Sequence, residues 1–293
     1  MPINRPLVRR LTRRARVRLM LVAAIITTAA ISAQGCGGSS GRGTRTDPLE
    51  PPTPLRPAKW GLLWADEFDG ATLDANTWIA VDGAANVNNE LEYYTPSDVY
   101  LENGMLVLRS QARSMGSRNY TSGEVRTGTK RLVSQGEAIE WRTQVPSGKG
   151  MWPANWLVAS SCTGIEGCGS AWPPEIDVLE MKGSQPDINI MTHWWGSYPA
   201  QNYETTTFDT GIDLSADFHT YRLEWFPDSV LWYIDGVQRA KHTQNVTTGS
   251  LQVVMNTAVG GNFDGAPNSS TVFPKYQRID YVRVYSDTAN GGR

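Results

Sequence analysis

The feature that most constrains the fold of this chain is a period of two in its hydrophobic residues. Segments such as GMLVLRSQA, GEAIEWRTQV, HTYRLEWF, SVLWYIDG, LQVVMNTAV and IDYVRVY alternate or run apolar, and Gly, Pro, Asp or Asn bound them. None of the segments carries a sustained helical stripe. Many short strands separated by turn signals predict a single all-β domain, an antiparallel sandwich or barrel.

Length and charge limit the class of protein. The chain has 293 residues and a formal net charge of -2. Nucleic-acid binding rests on clustered Lys and Arg, so no nucleic-acid partner is expected. The one basic cluster, RPLVRRLTRRARVR, precedes an apolar run of 13 residues, LMLVAAIITTAAI. This run is too short for a membrane span and is typical of an export signal over residues 1–36.

After this segment, residues 37–58 are rich in Gly, Ser, Pro, Arg and Thr and predict a disordered linker. Residues 59–288 have the composition of one globular domain. AQGC resembles a loose lipobox, which leaves two alternatives, lipid anchoring through Cys36 or plain secretion. Both place the protein outside the cytoplasm. In an oxidising compartment Cys162 and Cys168 are close enough in sequence to form a disulfide, and two free buried thiols are the alternative.

The stretch EIDVLE, from Glu175 to Glu180, places three carboxyl groups in a segment that otherwise has the pattern of a buried strand. Side chains alternate along a strand, so Glu175 and Asp177 share a face and Glu180 points to the other. One alternative is that all three acids are solvated surface residues, but a regular strand would then place Glu180 on the apolar face. A second alternative is a Ca²⁺ or Mg²⁺ site, but such a site usually has Gly and Asn among its ligand residues, and EIDVLE has neither. A β-bulge between Asp177 and Glu180 would return all three acids to one face.

With such a bulge, the backbones of Glu175 and Glu180 lie about 13 Å apart. Side chains that lean inward bring the carboxyl groups to about 5 to 5.5 Å, the separation in a retaining glycosidase. Two carboxyl groups this close repel each other when both are ionised, which raises the pKa of one of them, so one acid keeps its proton. We predict Glu175 as nucleophile, Asp177 as its orienting partner and Glu180 as general acid and then general base, with no cofactor for catalysis.

The chain also resembles the family-16 glycoside hydrolases, and within them the laminarinase-like endo-β-1,3-glucanases. The resemblance runs from Trp64 to Tyr285 through WADEFDG, NNELEYYT, YTSGEVRTGTK, GKGMWPANWLV, WPPEIDVLEMKG, FHTYRLEWFPDSVLWYIDG, NTAVGGNFDGAPN and DYVRVY. It implies a β-jelly-roll sandwich of two curved antiparallel sheets, concanavalin-like, with the substrate cleft on the concave face. It implies the same roles for the three acids.

The resemblance also implies substrate-binding residues, namely Asn89, Arg126, Trp152, Trp156, Trp172 and His193. Pyranose rings stack on indoles, although each Trp alone is as well explained by the core. His193 has the alternative of a framework histidine, and Asn89 that of a turn residue. The family pattern SGR reads SGEVR here, which puts Glu124 where the Arg is expected.

A structural calcium ion is a further implication of the resemblance, with Glu67, Gly104 and Asp280 as the matching positions. The expected partner is a polysaccharide, and the protein is expected to be a monomer. Only three His residues are present, and a Gly-x-Ser-x-Gly nucleophile motif is absent from the sequence of the globular segment, residues 59–288.

The predicted function is a retaining endo-β-glucanase that cleaves β-1,3-glucan or mixed β-1,3/1,4-glucan by double displacement. A transglycosylase and a non-catalytic glucan-binding lectin are the alternatives on the same fold. Three retained acids favour an enzyme over a lectin, since binding alone needs no nucleophile. The family also cleaves galactans such as agar and carrageenan, and the slightly acidic chain favours a neutral polymer over a sulfated one.

Overall fold

The computed structural model describes residues 59–162, 168 and 171–289. The predicted export signal and linker, Cys36 included, lie outside the described residues. Within the described ranges, no helix has the length and apolar character needed to cross a membrane.

Two sheets of eight strands each carry most of the described chain. The first sheet contains β1 (Trp60–Asp66), β5 (Val99–Leu101), β6 (Leu106–Ser110), β10 (Glu137–Gln144), β15 (His219–Trp225), β16 (Val230–Ile234), β17 (Val237–His242) and β19 (Lys275–Asp287). The second contains β2 (Ile79–Ala80), β8 (Glu124–Arg126), β9 (Leu132–Ser134), β11 (Met151–Ala159), β12 (Glu175–Glu180), β13 (Ile188–Trp195), β14 (Asn202–Asp209) and β18 (Ser250–Val259).

Smaller elements accompany the two large sheets. A three-stranded sheet contains β3 (Gly83–Ala84), β4 (Glu92–Tyr94) and β7 (Tyr120–Ser122). A 3₁₀-helix covers Pro96–Asp98, and a single α-helical turn, α1, covers Gly261–Asp264. The second sheet runs in the order β14-β13-β12-β11-β18-β8-β2, with β9 beside β18, so the EIDVLE strand β12 lies near its middle.

The hydrophobic core lies between the two large sheets. Its buried side chains come from alternate positions of both, among them Ile139, Leu223 and Val284 from the first sheet and Leu157, Ile176 and Val253 from the second. Two facing antiparallel sheets around one such core form a sandwich. The predicted all-β sandwich is therefore confirmed, and the six quoted alternating segments lie on β6, β10, β15, β16, β18 and β19.

Two hairpin turns connect β15 to β16 and β16 to β17. Strands β15 and β16 join at the Pro-Asp dipeptide, where the Phe226 N–H donates to the Ser229 carbonyl at 2.8 Å. Strands β16 and β17 join at Asp235 and Gly236, which both have positive φ, 50° and 73°. Positive φ at both central residues is the requirement of a type I′ turn, and Asp-Gly meets it.

Candidate active site

Strand β12 contains a bulge at the predicted place. Asp177 lies opposite Trp156 of β11 and Leu179 lies opposite Asn155, so Val178 has no partner residue. This extra residue resets the two-residue alternation. As a result, Glu180 joins Glu175 and Asp177 on the outer face of the second sheet, away from the core.

Two side chains hold the backbone of the bulge. The β12–β13 ladder pairs residues only as far as Asp177. Beyond it, the buried side chain of Asn189 on β13 accepts from the Glu180 N–H at 3.1 Å and donates to the Val178 carbonyl at 3.1 Å. From the first sheet, the Trp232 indole donates to the Asp177 carbonyl at 2.9 Å. The backbone groups of the bulge therefore have side-chain hydrogen-bond partners from both sheets.

The three carboxyl groups open into one cavity of about 860 Å³. Glu175 lies opposite Val158 and Glu180 opposite Ala154, a spacing of four residues on β11. The cavity walls are largely aromatic and include Trp152, Trp156, Trp172, Trp194, Tyr198, Tyr203 and Phe263. A cleft with acidic groups at its floor and flat apolar rings at its sides suits a sugar polymer, whose rings have apolar faces and polar edges.

Each of the three acids accepts a hydrogen bond from a different indole. Trp172 Nε1 donates to Glu175 Oε2 at 3.0 Å. Trp194 Nε1 donates to Asp177 Oδ2 at 3.1 Å, and Trp152 Nε1 donates to Glu180 Oε1 at 3.0 Å. An indole N–H only donates, so each bond favours the carboxylate form while the ring shields the acid from water.

Burial dominates the electrostatics of the acids. It raises the pKa of Glu175 to about 8, and the charge of Glu180 adds to the rise, while the Trp172 hydrogen bond opposes it. Burial and then the charge of Glu175 raise the pKa of Asp177 well above its ordinary value. The pKa of Glu180 is likewise raised, by burial and then by the charge of Asp177. Three such neighbours cannot all ionise near neutral pH, so the site supplies a protonated acid.

The three predicted cleft tryptophans all line the cavity. Trp152 and Trp172 are also the indole donors to Glu180 and Glu175, a role that the sequence did not indicate. The Trp156 indole instead donates to Asn256 Oδ1 at 2.9 Å. Trp152 also stacks on Phe263 of α1, with ring centroids 4.7 Å apart, which fixes its plane at the edge of the cleft.

His193 does not reach the cleft, contrary to the prediction. It lies opposite Ile176 on β12, and both side chains point into the core, where His193 is fully buried and its Nε2 accepts from the Thr247 N–H at 3.2 Å. Its neighbours Thr192 and Trp194 face the cavity instead. The alternation within THWW was the signal that could have identified Trp194, which the sequence reasoning left out of the site.

Asn89 and Arg126 also lie outside the cavity lining. Asn89 is exposed, with φ of 57°, and its amide donates to Asn262 Oδ1 at 2.8 Å. The preceding residue, Asn88, lines the cavity in its place. Arg126 follows Glu124 on the same face of β8, and Glu124 is the one of the two that lines the cleft. The difference at Asn89 is one residue within a turn, where no sequence period fixes the direction of a side chain. Glu124 and Arg126 share a strand face, so the sequence period does not distinguish which of the two lines the cleft.

An aromatic flank, formed by Trp172, Trp194, Tyr198 and Tyr203, extends the cleft toward the edge of the second sheet. Trp194 lies opposite Glu175 across one strand pair and opposite Tyr203 across the next. The ring centroids of Trp194 lie 5.2 Å from Trp172 and 4.7 Å from Tyr203. Tyr198 and Tyr203 are 59% and 57% exposed, so open aromatic faces continue from the acids to the rim.

A disulfide joins Cys162 to Cys168 next to the cleft. Cys168 lines the cavity beside Trp172. The Cys162 carbonyl accepts from the Gln252 amide at 2.9 Å, which ties the disulfide to β18.

A β-sandwich with a bulged strand, three indole-bonded acids and an open aromatic cleft defines a class of carbohydrate-active proteins. A family model described as glycosyl hydrolases family 16 matches residues 89–282, well over half of the chain. The chain belongs to glycosyl hydrolase family 16.

Similar proteins come from several bacteria. The chain is 32% identical over 273 residues to the glucan endo-1,3-beta-glucosidase A1 of Niallia circulans, covering 80% of this chain but 39% of that protein. It is 31% identical to the beta-glucanase of Rhodothermus marinus, covering 77% of this chain and 85% of that one. The catalytic domain of an endo-1,3-beta-glucanase (laminarinase) from Thermotoga petrophila RKU-1 has 33% identity and a TM-score of 0.70, over 79% of this chain and 99% of that one.

Proposed function

We propose that the protein is a retaining endo-β-glucanase that hydrolyses β-1,3-glucan or mixed β-1,3/1,4-glucan. The observation that carries the proposal is the bulged strand β12, which brings Glu175, Asp177 and Glu180 onto one cavity. Two carboxyl groups on the same face of one strand are the minimum that a double displacement requires. The names of the similar proteins support glucan as the polymer.

In the first step, a Glu175 carboxylate oxygen attacks the anomeric carbon while Glu180 gives its proton to the departing glycosidic oxygen. The bond from carbon to that oxygen breaks, and a glycosyl ester with Glu175 forms. With protons held on Asp177 and Glu180, Glu175 is the acid left to ionise. Its hydrogen bond from Trp172 favours that form.

In the second step, Glu180 acts as the base. Ester formation removes the charge of Glu175, so the pKa of Glu180 falls and its carboxylate takes a proton from water. The resulting hydroxide attacks the same carbon, the ester bond breaks and Glu175 leaves as a carboxylate. Two inversions return the original anomeric configuration. Asp177, held by Trp194, orients the nucleophile through both steps.

The open cleft supports internal cleavage of a polymer. The aromatic flank continues the cavity past Glu175 to the rim of the sheet, and its exposed tyrosines offer faces on which further sugar rings stack. A chain that extends in both directions fits such a cleft, whereas an exo-acting enzyme needs a closed end. We expect the products of early hydrolysis to be oligosaccharides of mixed length.

The Glu175→Gln variant tests the proposal. Laminarin, lichenan and agarose are incubated with the parent and the variant, and reducing ends are measured. The parent should release sugar from laminarin, from lichenan or from both, and the variant should release almost none. Glu102→Gln, at an exposed position in the β5–β6 turn, is the matched control and should keep parental activity. Parental rates in Glu175→Gln, or cleavage of agarose alone by the parent, would refute the proposal.

Transglycosylation is a second outcome of the same chemistry, favoured by the exposed aromatic flank, on which an acceptor sugar can stack in place of water. Mass spectrometry of the products at high oligosaccharide concentration distinguishes the two, because transglycosylation makes chains longer than the substrate. A non-catalytic lectin would bind laminarin without releasing reducing ends.

A structural calcium ion on the first sheet is proposed as well. Gly104 precedes β6 and Glu67 follows β1, and both strands pair with β19, which carries Asp280. The carboxyl groups of Asp280 and Glu67 are already paired with Arg142 and Arg283, each at 2.8 Å. Both Glu67 oxygens accept from Arg283, whereas Arg142 donates to Oδ2 of Asp280. The ion would therefore draw on backbone oxygens of Glu67 and Gly104 together with Oδ1 of Asp280, an all-oxygen set of the kind that Ca²⁺ prefers.

Thermal unfolding tests the calcium site without reference to activity. Added Ca²⁺ should raise the melting temperature of the parent and a chelator should lower it, because binding to the native state alone stabilises it. The Asp280→Ala variant should respond to neither. A parent whose melting temperature is the same with Ca²⁺ and with chelator contradicts the site.

Export is proposed from the N-terminal residues, with Cys36 as the attachment point if the protein is a lipoprotein. Fractionation of expressing cells should place the protein in the medium or the envelope. Detergent-dependent release that is lost in Cys36→Ser would indicate the anchor.

The protein is further proposed to act as a monomer, which light scattering measures directly.

A further inference from the structure

Asp264, the last residue of α1, is a buried acid beside the cleft that the proposed mechanism does not use. It is 4% exposed, and its carboxyl group accepts four hydrogen bonds. The Gly150 N–H and the Ser184 N–H donate to Oδ2 at 2.8 and 3.2 Å. The Lys149 ammonium, at 3.2 Å, and the Ser184 hydroxyl donate to Oδ1. Asp264 lies outside the cavity lining, so these bonds hold the chain in place and not a ligand.

The donors to Asp264 flank the two strands that carry the proposed general acid and its indole partner. Gly150 lies directly before β11, two residues before Trp152. Ser184 lies four residues after Glu180, the last residue of β12. One carboxyl group therefore joins α1 to the start of β11 and to the segment that follows β12. Hydrogen bonds to a charged acceptor are about twice as strong as neutral ones, so the joint is firm.

Phe263, the residue before Asp264, connects this joint to the cleft. Its ring stacks on the Trp152 indole, with centroids 4.7 Å apart and planes inclined by 24°. Trp152 Nε1 donates to Glu180 Oε1 at 3.0 Å. The Lys182 ammonium lies 5.1 Å from the centroid of the same Phe263 ring. Burial raises the pKa of Glu180, and Trp152 and Lys182 both oppose the rise. Both opposing groups therefore contact Phe263.

The other titratable groups around Glu180 are acids and tyrosines. Those that share the cleft lining with it are Glu90, Tyr94, Glu124, Glu175, Asp177, Tyr198 and Tyr203. No Lys or Arg is among the described residues of that lining. The Lys182 ammonium, beside Phe263, is the cation that acts on Glu180. The position of the α1 turn therefore decides how closely this cation and the Trp152 N–H approach the acid.

We propose that Asp264 is a positioning residue for Glu180, which it aligns by fixing α1 and Phe263 against the Trp152 indole. The inference rests on the proposed function, because it requires Glu180 to be the general acid. A catalytic group acts only when the residues around it lock its geometry to within about 0.5 Å. Without the joint at Asp264, the Trp152 ring loses the support that fixes its plane, and its N–H no longer meets Glu180 at a fixed distance.

The pH profile of kcat/KM on laminarin tests the proposal with the variants Asp264→Asn and Phe263→Leu. Asn keeps the shape of Asp but replaces one acceptor oxygen with a donor, so part of the joint is lost. The basic limb follows loss of the proton from Glu180. Both variants should move it to higher pH by about 0.5–1 unit, the effect of one weakened hydrogen bond. In Asp264→Asn, kcat should fall about three- to tenfold while KM stays within about twofold, because Asp264 does not line the cleft.

Asp98→Asn is the matched control. Asp98 is also fully buried and accepts from Arg109, Gln111 and Arg113 at 2.8, 2.7 and 3.0 Å, but it lies outside the cavity lining. Urea unfolding should show a loss of stability in both Asn variants, and the basic limb of Asp98→Asn should stay at the parental pH. An equal shift in Asp98→Asn would mean that any loosening of the fold moves the limb, and would overturn the role of Asp264.

A double variant tests the route through the indole. Trp152→Phe keeps a ring for Phe263 to contact and removes the N–H that meets Glu180. If Asp264 acts through that N–H, adding Asp264→Asn to Trp152→Phe should move the basic limb by less than half of the shift that Asp264→Asn causes alone. Two shifts that simply add would overturn this route.

The outcomes distinguish the inference from the proposed function. A parent that does not cleave laminarin overturns the proposed function and, with it, the role of Glu180 on which the inference rests. A parent that cleaves laminarin while the basic limb stays unmoved in Asp264→Asn and Phe263→Leu overturns the inference alone. Circular dichroism identifies a variant that does not fold. If Asp264→Asn is such a variant, Phe263→Leu, alone and combined with Trp152→Phe, decides the result by the same two criteria.

Discussion

Asn189 holds the backbone of Glu180, the proposed general acid: its Oδ1 accepts from the Glu180 N–H at 3.1 Å while its Nδ2 donates to the Val178 carbonyl at 3.1 Å. These two backbone groups lie in the bulge, beyond the last residue pair of the β12–β13 ladder. One amide side chain thus provides the hydrogen bonds that a regular strand pair would have made. The direction of the Glu180 carboxyl group depends on these two side-chain hydrogen bonds.

Replacing Asn189 with Ala should lower both stability and turnover. Two backbone groups in or near the interior lose their partner at about 1–3 kcal/mol each, so the free energy of unfolding should fall by about 2–6 kcal/mol. In the folded fraction, kcat should fall more than KM rises, because Glu180 loses its alignment. Urea unfolding and steady-state kinetics measure the two effects. Asn202→Ala, on the exposed face of β14, should change stability by less than about 0.5 kcal/mol, and equal effects in both variants would contradict the role of Asn189.

The Glu180→Gln variant should lose activity in proportion to how much the leaving group needs a proton. On laminarin, the loss should be about 10²- to 10⁴-fold, the usual contribution of a positioned general acid. On an aryl β-glucoside with an acidic phenol as leaving group, glycosyl-ester formation should be far less impaired. Burst kinetics with the aryl substrate reveal the accumulated ester. A similar loss on both substrates would argue that Glu180 is not the acid.

The two indole donors should control opposite limbs of the pH profile. The acidic limb of kcat/KM follows ionisation of Glu175, and the Trp172 hydrogen bond lowers the pKa of that group. Trp172→Phe should therefore move the acidic limb to higher pH. The basic limb follows loss of the proton from Glu180, whose pKa the Trp152 hydrogen bond lowers. Trp152→Phe should move the basic limb to higher pH. Profiles that change only in height, with both limbs unmoved, would mean that the indoles serve only to bind substrate.

Buried acids should make the fold less stable as the pH rises. The pKa of both Glu175 and Glu124 is raised to about 8 by burial, from an ordinary value of 4.5. Between these values the native state holds protons that the unfolded chain releases, so the free energy of unfolding falls with rising pH and levels off above about pH 8.

Urea unfolding at about pH 5, 6.5 and 8 measures this fall. Glu175→Gln and Glu124→Gln should each remove part of the slope and be more stable than the parent at the highest pH. Glu102→Gln, which is exposed, should follow the parent. Stability that rises across the same window would show that the two acids are ionised at little cost in the fold.

The disulfide between Cys162 and Cys168 should stabilise the protein modestly. The bridge closes a short loop, with a sequence separation of 6. The chain-entropy relation gives about 2 kcal/mol for a loop of this size. A Cys162→Ser, Cys168→Ser double variant should lose about that amount and should bind oligosaccharide more weakly, since Cys168 lies in the cavity wall beside Trp172. A reducing agent should destabilise the parent and leave the double variant unaffected.

Much of the site could be predicted because the period of two along a strand fixes the face to which each side chain points. Along EIDVLE, the interruption of the period of two by Glu180 was itself the evidence for a bulge, and the structure contains that bulge. The same rule applied to THWW would have placed Trp194 in the cleft and His193 in the core. Positions in turns, such as Asn89, carried no such information, and the neighbouring Asn88 lines the cavity instead.

The sequence by itself determined the sheets, the hairpins and the face on which the acids lie, because these follow from a local period and from turn residues with special backbone angles. Only the tertiary structure decided which indole meets which acid, that Asn189 completes the bulge, and that Asp264 joins the segments next to β11 and β12. These relationships join residues on different strands, whose neighbours are set by strand order and register. Those are fixed when two sheets bury a common core, and no local pattern in the chain records them.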